Sequence, residues 1–191
     1  MYWGYKTLIM KKFKKVIVLI FATVLVSSCT QSIDGNLESD YIETRQYITY
    51  YKGAVYSGEI FFIYENGQLE SRINYKDGKL DGLAERYWKD GSLDYKQNYK
   101  DGQQDGLKEW TAPGFGGRIL IKSYYKDNRL NGVEETYYEG GQLMQTVNYK
   151  DGQEDGLMKG YYEGGQIRVE NTYKDGVLIS NKYYSEDGQI Q

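Results

Sequence analysis

The sequence contains no histidine, and among its 191 residues there are only one cysteine and one proline. Histidine is the commonest general acid or base and the commonest protein ligand for metals, so its absence excludes Ser-His and Cys-His nucleophilic centres. A single thiol cannot form a disulfide within the chain. These absences make catalysis the weakest interpretation, and we expect no enzyme, no cofactor and no metal site.

Positive charge is scarce in most of the chain. Five of the 24 basic residues precede Cys29, in a stretch without acidic residues, so the remainder carries 19 basic against 27 acidic residues and a net charge of −8. Proteins that bind nucleic acid present a basic surface to the phosphates. The acidic body therefore argues against a nucleic-acid partner.

Residues 1–28 have the form of a secretory signal peptide. A basic stretch at residues 11–15 precedes an apolar run of 11 residues, 16–26. A bilayer-spanning helix needs about 20 apolar residues, so this run is too short to be one. Either Met1 or Met10 can be the start of the chain.

The end of this leader, Val26-Ser27-Ser28-Cys29, resembles the lipobox of bacterial lipoproteins. The resemblance implies that Cys29 becomes the first mature residue, carries a diacylglycerol thioether and anchors the protein in a membrane of the cell envelope. Thr30, rather than Asp, follows the cysteine, which by resemblance favours the outer membrane. The alternative is an ordinary signal peptide with an incidental cysteine.

Residues 29–50 separate the leader from the rest of the chain. Residues 30–40 are polar and show no periodicity, so we expect a flexible tether there. Residues 41–50 alternate loosely between apolar and polar side chains, which indicates a possible capping strand.

Residues 51–191 form an array of six repeats. The chain is rich in tyrosine (22) and glycine (23), which suits short strands joined by tight turns. A Tyr-Lys pair opens each repeat, in steps of 24, 24, 26, 24 and 24 residues. The opening tyrosines are Tyr51, Tyr75, Tyr99, Tyr125, Tyr149 and Tyr173. A fixed period of this length indicates a stack of identical supersecondary units.

Each repeat carries two turn signals, which predicts one β-hairpin per repeat. The signals at Asn66-Gly67, Asp90-Gly91, Gly140-Gly141 and Gly164-Gly165 are typical of two-residue type I′ turns. A second signal lies between repeats, at Asp77-Gly78, Asp101-Gly102, Asp151-Gly152 and Asp175-Gly176. We therefore predict an all-β fold, a single-layer antiparallel meander of about twelve strands.

A turn at Asp90-Gly91 also predicts the register of the second hairpin. It places Trp88 opposite Leu93, Arg86 opposite Tyr95, and Gly82 opposite Tyr99. In this register the Tyr99 ring can cover Gly82, the arrangement called aromatic rescue, which explains why tyrosine and glycine recur in step. We expect the opposite face to be polar and hydrated.

The third repeat departs from the pattern at residues 111–118, which hold the only proline and two extra residues. We interpret this segment as a longer hairpin loop. An insertion tolerated at a loop tip is the preferred explanation, and a local binding site is the alternative.

The repeats resemble the MORN repeat variant of bacteria, which is found in proteins labelled YwqK-family antitoxins. The resemblance lies in the Asp-Gly and Gly positions, the paired aromatics Tyr137-Tyr138 and Tyr161-Tyr162, and the Gly-Gln-Leu/Ile after each turn. Related arrays act as membrane-associated scaffolds or accessory modules and bring no catalytic residues. The resemblance implies a lipoprotein whose sheet is a protein-interaction scaffold, antitoxin-like by family.

Exposed aromatic side chains suggest an alternative function, the binding of cell-wall glycan or peptidoglycan by stacking on sugar rings. The candidate binding residues are Trp88, Trp110, Phe115, Tyr137 and Tyr161. Packing within the sheet is the preferred explanation for any single ring.

Acidic pairs recur in the inter-repeat loops, at Asp77 and Asp81, Asp101 and Asp105, and Asp151 and Asp155. Carboxylate oxygens on a glycine-rich loop can bind Ca²⁺, but such a site needs six to eight oxygens. Aspartate beside glycine is also ordinary turn chemistry. We therefore interpret these residues as structural.

Overall fold

The structure of the protein is a computed structural model that describes residues 31–112 and 118–191. The predicted signal peptide at residues 1–28, the predicted lipidation site Cys29 and residues 113–117 with Phe115 lie outside the described residues. No helix in the described ranges has the length and hydropathy that crossing a bilayer requires.

The described residues form sixteen strands and one short 3-10 helix, Ser39–Tyr41. The first eight strands are β1 (Gln31–Asp34), β2 (Ile42–Arg45), β3 (Ile48–Tyr51), β4 (Ala54–Val55), β5 (Gly58–Ile63), β6 (Leu69–Lys76), β7 (Lys79–Tyr87) and β8 (Leu93–Lys100). The other eight are β9 (Gln103–Thr111), β10 (Ile119–Lys126), β11 (Arg129–Leu130), β12 (Gly132–Tyr137), β13 (Leu143–Lys150), β14 (Gln153–Tyr161), β15 (Ile167–Lys174) and β16 (Val177–Tyr183).

Thirteen of these strands form one large sheet, in the order β1-β5-β6-β7-β8-β9-β10-β12-β13-β14-β15-β16, with β11 beside β10. Every pair from β5 onward is antiparallel, and each joins strands that follow each other along the chain, except that β10 pairs with both the two-residue β11 and β12. The predicted all-β meander of hairpins is thus confirmed. The hairpins therefore succeed one another across the sheet in chain order.

Strand β1 differs from what the sequence predicts. The tether expected over residues 30–40 includes Gln31–Asp34, yet these residues pair in parallel with β5, with Gln31 opposite Gly58. The reason is burial: Ile33 is only 3% exposed and packs against Tyr56 and Ile60 in the main apolar cluster. Tyr56 Oη also donates a hydrogen bond of 2.7 Å to the carbonyl oxygen of Gln31.

The segment interpreted as a possible capping strand forms part of a separate small sheet, in the order β2-β3-β4. It contacts the large sheet through the backbone, because Thr49 N donates to the carbonyl oxygen of Gly78 at 2.7 Å. Partly buried Tyr51 from β3 also packs against the apolar cluster. This end of the array is therefore covered.

The type I′ turns lie at the Asp-Gly pairs between repeats, and not at the dipeptides within repeats where they were predicted. Asp77 and Gly78 both have positive φ, 49° and 74°, as type I′ requires, and the other Asp-Gly turns between repeats are alike. At Asp90-Gly91 only the glycine has positive φ, and Trp88 N donates to Ser92 O, which makes a three-residue loop with a glycine bulge. The prediction of two-residue type I′ turns within the repeats is wrong, because a single left-handed residue suffices there.

The predicted register of the second hairpin is correct for Arg86 opposite Tyr95 and for Gly82 opposite Tyr99, but wrong near the turn. Tyr87, rather than Trp88, lies opposite Leu93. One extra residue in β8, Asp94, produces this bulge, and its buried carboxylate pairs with Arg86.

A second bulge explains the recurrent glycine. Gly82 has φ +102°, and a Cβ there would lie 3.3 Å from Asn74 Cβ, while no atom of Tyr99 lies within 4 Å of that position. Asn74 Nδ2 donates to the carbonyl oxygen of Leu83 at 2.7 Å and so spans the bulge. The backbone of the bulge, rather than cover by a tyrosine ring, requires this glycine.

Candidate functional site

Hydrogen bonds between successive hairpins hold the type I′ turns in a row along one edge of the sheet. In each turn the second residue donates its N–H to the preceding hairpin, as Gly102 N does to Leu80 O and Gly176 N to Glu154 O, both at 2.8 Å. These bonds join neighbours through the backbone, so they do not depend on side-chain identity.

The acidic residues of this edge take part in the same contacts. Asp81 Oδ2 accepts hydrogen bonds of 3.2 Å from both Asp101 N and Lys100 Nζ. The Asp101 N–H, followed by the Lys100 ammonium, lowers the pKa of Asp81. Asp105 and Asp155 pair with the lysine of the following repeat in the same way. Within the described part of the chain, no group of three or more potential metal-ligating side chains is present.

One face of the sheet carries a row of alternating charges, which we call the charge ladder. Its members lie opposite one another in the strand register, one per strand. They are Arg72, Glu85, Lys96, Glu109, Lys122, Glu135, Thr146, Lys159, Glu170 and Lys182. Opposite charges on facing strands attract each other, so the ladder stabilises a sheet that has little apolar core.

The other face carries a row that we call the central row. Its first members are apolar (Ile33, Ile60, Ile73 and Ala84), its middle members are polar (Gln97, Lys108, Ser123 and Glu134), Val147 and Met158 follow, and Asn171 and Asn181 end it. The row thus has apolar members on both sides of a polar centre and ends on two asparagines, and its charged members lie at the centre. Charged side chains in place of core residues reduce stability unless they are paired, so the centre of the row requires another explanation.

A cleft of about 340 Å³ lies at this polar centre. We call it the central groove, and it is lined by Lys108, Trp110, Ile121, Ser123, Tyr125 and Glu134. Strands β9, β10 and β12 supply these residues, so the groove crosses the middle of the array.

The groove combines an exposed aromatic side chain with two opposite charges. Trp110 is 37% exposed and lies opposite Ile121. Ser123 Oγ donates a hydrogen bond of 2.7 Å to Glu134 Oε2, which orients the carboxylate. Lys108 Nζ lies 5.9 Å from the centre of the Tyr125 ring and forms no ion pair with any described residue. Burial, and next the Glu134 charge, raises the pKa of Tyr125.

The structure does not bring the predicted binding residues together. Trp110 lies in the groove, whereas Tyr137 and Tyr161 lie opposite Leu143 and Ile167. Tyr137 Oη donates to Glu135 of the charge ladder at 2.6 Å, and burial followed by this hydrogen bond raises the pKa of Tyr137 to about 12.

Trp88 is not among the residues that line the groove. The indole N–H of Trp88 is buried and has no acceptor among the described residues, and Phe115 lies outside them. The prediction of Trp88, Phe115, Tyr137 and Tyr161 as ligand contacts stays a prediction.

Sequence reasoning missed Lys108 and Glu134, although a signal for them exists. Both occupy the tenth position of their repeats, where the other repeats have Ile60, Ala84, Met158 and Lys182. The signal is thus a charge at a position that is apolar in three of the six repeats.

An extended sheet in which successive hairpins pair side by side is the architecture of a repeat scaffold. The MORN repeat variant matches this chain at residues 56–77, 80–101, 130–151 and 154–175. These four segments of the array are therefore similar to MORN repeats. A comparison with curated proteins finds no match.

The matched segments leave residues 102–129 between them. Five of the six side chains that line the central groove come from this interval. The groove therefore lies where the chain departs from the repeat pattern, rather than where it follows it.

Proposed function

We propose that this protein is a bacterial lipoprotein, anchored in the cell envelope through acylated Cys29, whose sheet of MORN repeats is a scaffold for a protein partner. The observation that supports this proposal most is that recurrent side chains of the repeats have structural roles. Recurrent aspartates and asparagines bond to the neighbouring hairpin or across a bulge, as Asp81 and Asn74 illustrate. Repeats of this kind form an extended, ordered surface, which is suited to binding a partner rather than to catalysis.

Because β1 starts close to Cys29, a lipid on this cysteine would leave little distance between the membrane and the array. Gln31 is already paired with Gly58 of the array, only two residues after Cys29. Two residues span at most about 7 Å, so a lipid on Cys29 would hold the covered end of the array close to the bilayer. The proposed scaffold is thus positioned at the membrane, by preference the outer membrane, instead of moving freely on a long tether.

An antitoxin-like role is the finer form of this proposal. It requires a cognate toxin in the same compartment as the anchored array, and that toxin is then the protein partner. A stable complex of this kind buries roughly 800 Å² on each protein, which an extended sheet can provide.

The test is chemical crosslinking in intact cells followed by purification of the full chain, with Cys29→Ala as the matched control. We expect one dominant protein partner with wild type, and its loss or replacement when the anchor is removed. Absence of any reproducible protein partner would contradict the scaffold. Deleting residues 113–117 asks in addition whether that loop makes the contact.

A second candidate function is the binding of cell-wall glycan. The exposed Trp110 in the central groove favours it, since an aromatic surface beside polar groups is typical of small-ligand sites. Cosedimentation of the full chain with purified cell wall tests this function directly. Protein that stays in the supernatant at all wall concentrations would contradict it.

A further inference from the structure

We propose that the central groove binds a saccharide unit that carries a carboxylate. This proposal deepens the second candidate function and does not depend on the protein-partner scaffold. It assigns the sugar ring to Trp110, the carboxylate to Lys108, and the ring hydroxyls or amide N–H groups to Glu134.

The two charges lie where the other repeats have uncharged side chains. Lys108 and Glu134 occupy central-row positions that hold Ile60, Ala84, Met158 and Asn181 in the other repeats. An apolar side chain at either position would bury more apolar surface and stabilise the sheet. Residues that break a local rule of the fold at the cost of stability are characteristic of functional sites.

An exposed tryptophan lies beside these two charges. Trp110 is the twelfth residue of its repeat, and the corresponding residues elsewhere include Phe62, Arg86, Thr136 and Gly160. The hairpin therefore does not require tryptophan at this position. Because 37% of Trp110 remains exposed, it offers apolar surface to the less polar face of a sugar ring.

The groups that flank Trp110 match a saccharide that carries a carboxylate. Lys108 contributes a charged donor that forms no ion pair within the described residues, so a ligand carboxylate can pair with it. Glu134 is an acceptor whose Oε2 is already oriented by Ser123. Hydroxyl and amide donors of a saccharide match this carboxylate. A neutral sugar would leave Lys108 without a charged partner.

The geometry favours a saccharide over an extended peptide. Strands β9, β10 and β12 are each paired on both sides, so the groove has no open backbone edge to which a peptide strand could add. Its volume of about 340 Å³ lies near the lower end of the range of roughly 300–1,000 Å³ for small-ligand sites. Recognition here depends on side chains and suits a unit of one or two rings.

Isothermal titration calorimetry of the full chain, purified in mild detergent, tests the proposal with two probes. One is the disaccharide of N-acetylglucosamine and N-acetylmuramic acid, which carries a carboxylate. The other is di-N-acetylchitobiose, which lacks it. We expect the first probe to bind about tenfold more tightly, since a hydrogen bond to a charged group is worth a factor of about ten or more.

Variants identify the residues responsible. Lys108→Met should remove the preference between the probes, and Trp110→Ala should weaken binding of both by about tenfold. Lys122→Met is the matched control, because Lys122 lies in β10 on the charge-ladder face and should leave both affinities unchanged. Circular dichroism of each variant shows whether the sheet is retained.

Several outcomes would overturn the proposal. These are equal affinity of wild type for both probes, an unchanged preference in Lys108→Met, or tighter binding of a sugar-free peptide than of either disaccharide. Retention on purified cell wall without disaccharide binding would overturn this site while leaving the second candidate function standing, so the two failures are distinguishable.

Discussion

Tyr138 Oη donates a hydrogen bond of 2.7 Å to the carbonyl oxygen of Tyr161, which belongs to the next hairpin. Tyr64 makes the same bond to Tyr87 at 2.8 Å, and Tyr162 makes it to Tyr184 at 2.9 Å. The recurrent aromatic residue near each glycine-bulge turn is therefore a bridge between repeats. Together with the type I′ turns at the opposite edge, it joins neighbouring hairpins at both ends of their strands.

Replacing Tyr138 by phenylalanine should lower the free energy of unfolding by about 1 kcal/mol, because the ring stays and only the hydrogen bond is lost. Urea unfolding followed by circular dichroism measures the change. Tyr124→Phe is the control, since Tyr124 is 44% exposed and its hydroxyl bonds to no described residue. Equal losses in both variants would show that the bridge contributes nothing specific.

Because Gly82 lies in a bulge, replacing it by alanine should lower stability more than the same replacement at a glycine in an open turn. Gly82→Ala should destabilise the protein by about 1–3 kcal/mol, because φ is +102° and the new Cβ would lie 3.3 Å from Asn74 Cβ. Gly67→Ala should cost less, about 1 kcal/mol, since φ is +87° but nothing lies within 4 Å. Thermal unfolding compares the two, and a larger loss for Gly67→Ala would contradict the bulge explanation.

The lysines of the charge ladder should contribute differently to the free energy of unfolding, according to how deeply their partners are buried. Lys96 pairs with Glu109, whose side chain is only 7% exposed, so Lys96→Met should cost about 1–3 kcal/mol by leaving a buried carboxylate unpaired. Lys182 lies 3.9 Å from Glu170 and is 52% exposed, so Lys182→Met should cost less than about 0.5 kcal/mol. Urea unfolding of both variants decides whether burial sets the contribution.

The inter-repeat aspartates predict a loss of stability in acid. The Asp101 N–H and the Lys100 ammonium lower the pKa of Asp81 from 3.8, so its carboxyl binds a proton less readily in the folded than in the unfolded chain. The resulting stability is present above about pH 3.8 and is lost as the pH falls below it. Asp81→Asn should flatten this acid dependence of the urea midpoint. Glu65→Gln, at an exposed position, should leave it unchanged, and the same slope in both variants would contradict the assignment.

Alkaline pH should loosen the covered end of the array. Burial raises the pKa of Tyr56 from 10.0 to about 12, so above pH 10 the unfolded chain loses this proton before the folded one does. Stability is complete below about pH 10 and declines as the pH rises toward 12. Tyr56→Phe should be less stable at neutral pH, since it loses the bond to Gln31, but less sensitive to alkali. The control is Tyr47→Phe, because Tyr47 is 94% exposed; an alkaline limb that Tyr56→Phe leaves unchanged would contradict the prediction.

The sequence by itself determined the architecture, because the information for it is local and repeated. Alternating strands and Asp-Gly or Gly-Gly pairs define hairpins without long-range contacts. The pairing of Gly82 with Tyr99 and of Arg86 with Tyr95 follows from counting back from one turn, which explains why it is correct. Single-layer geometry follows in turn, since consecutive hairpins pair side by side.

Only the tertiary structure decided the turn types and the bulges. The same dipeptide suits a two-residue turn or the end of a three-residue loop, and the pairing of the flanking strands selects between them, as φ at Asp77 and at Gly91 shows. The hydrogen bond from Asn74 to the carbonyl oxygen of Leu83, which spans the bulge, is visible only in the structure. The parallel pairing of β1 is likewise decided by the apolar surface that Ile33 covers.

The central groove lies furthest from what the sequence alone determined. Lys108 and Glu134 belong to different repeats, and strand β10 lies between them, so only the sheet brings them to one cleft with Trp110. Their charge is visible in the sequence, but which side chains share a face depends on strand register. Register shifts with every bulge, and long-range packing rather than local sequence sets the bulges.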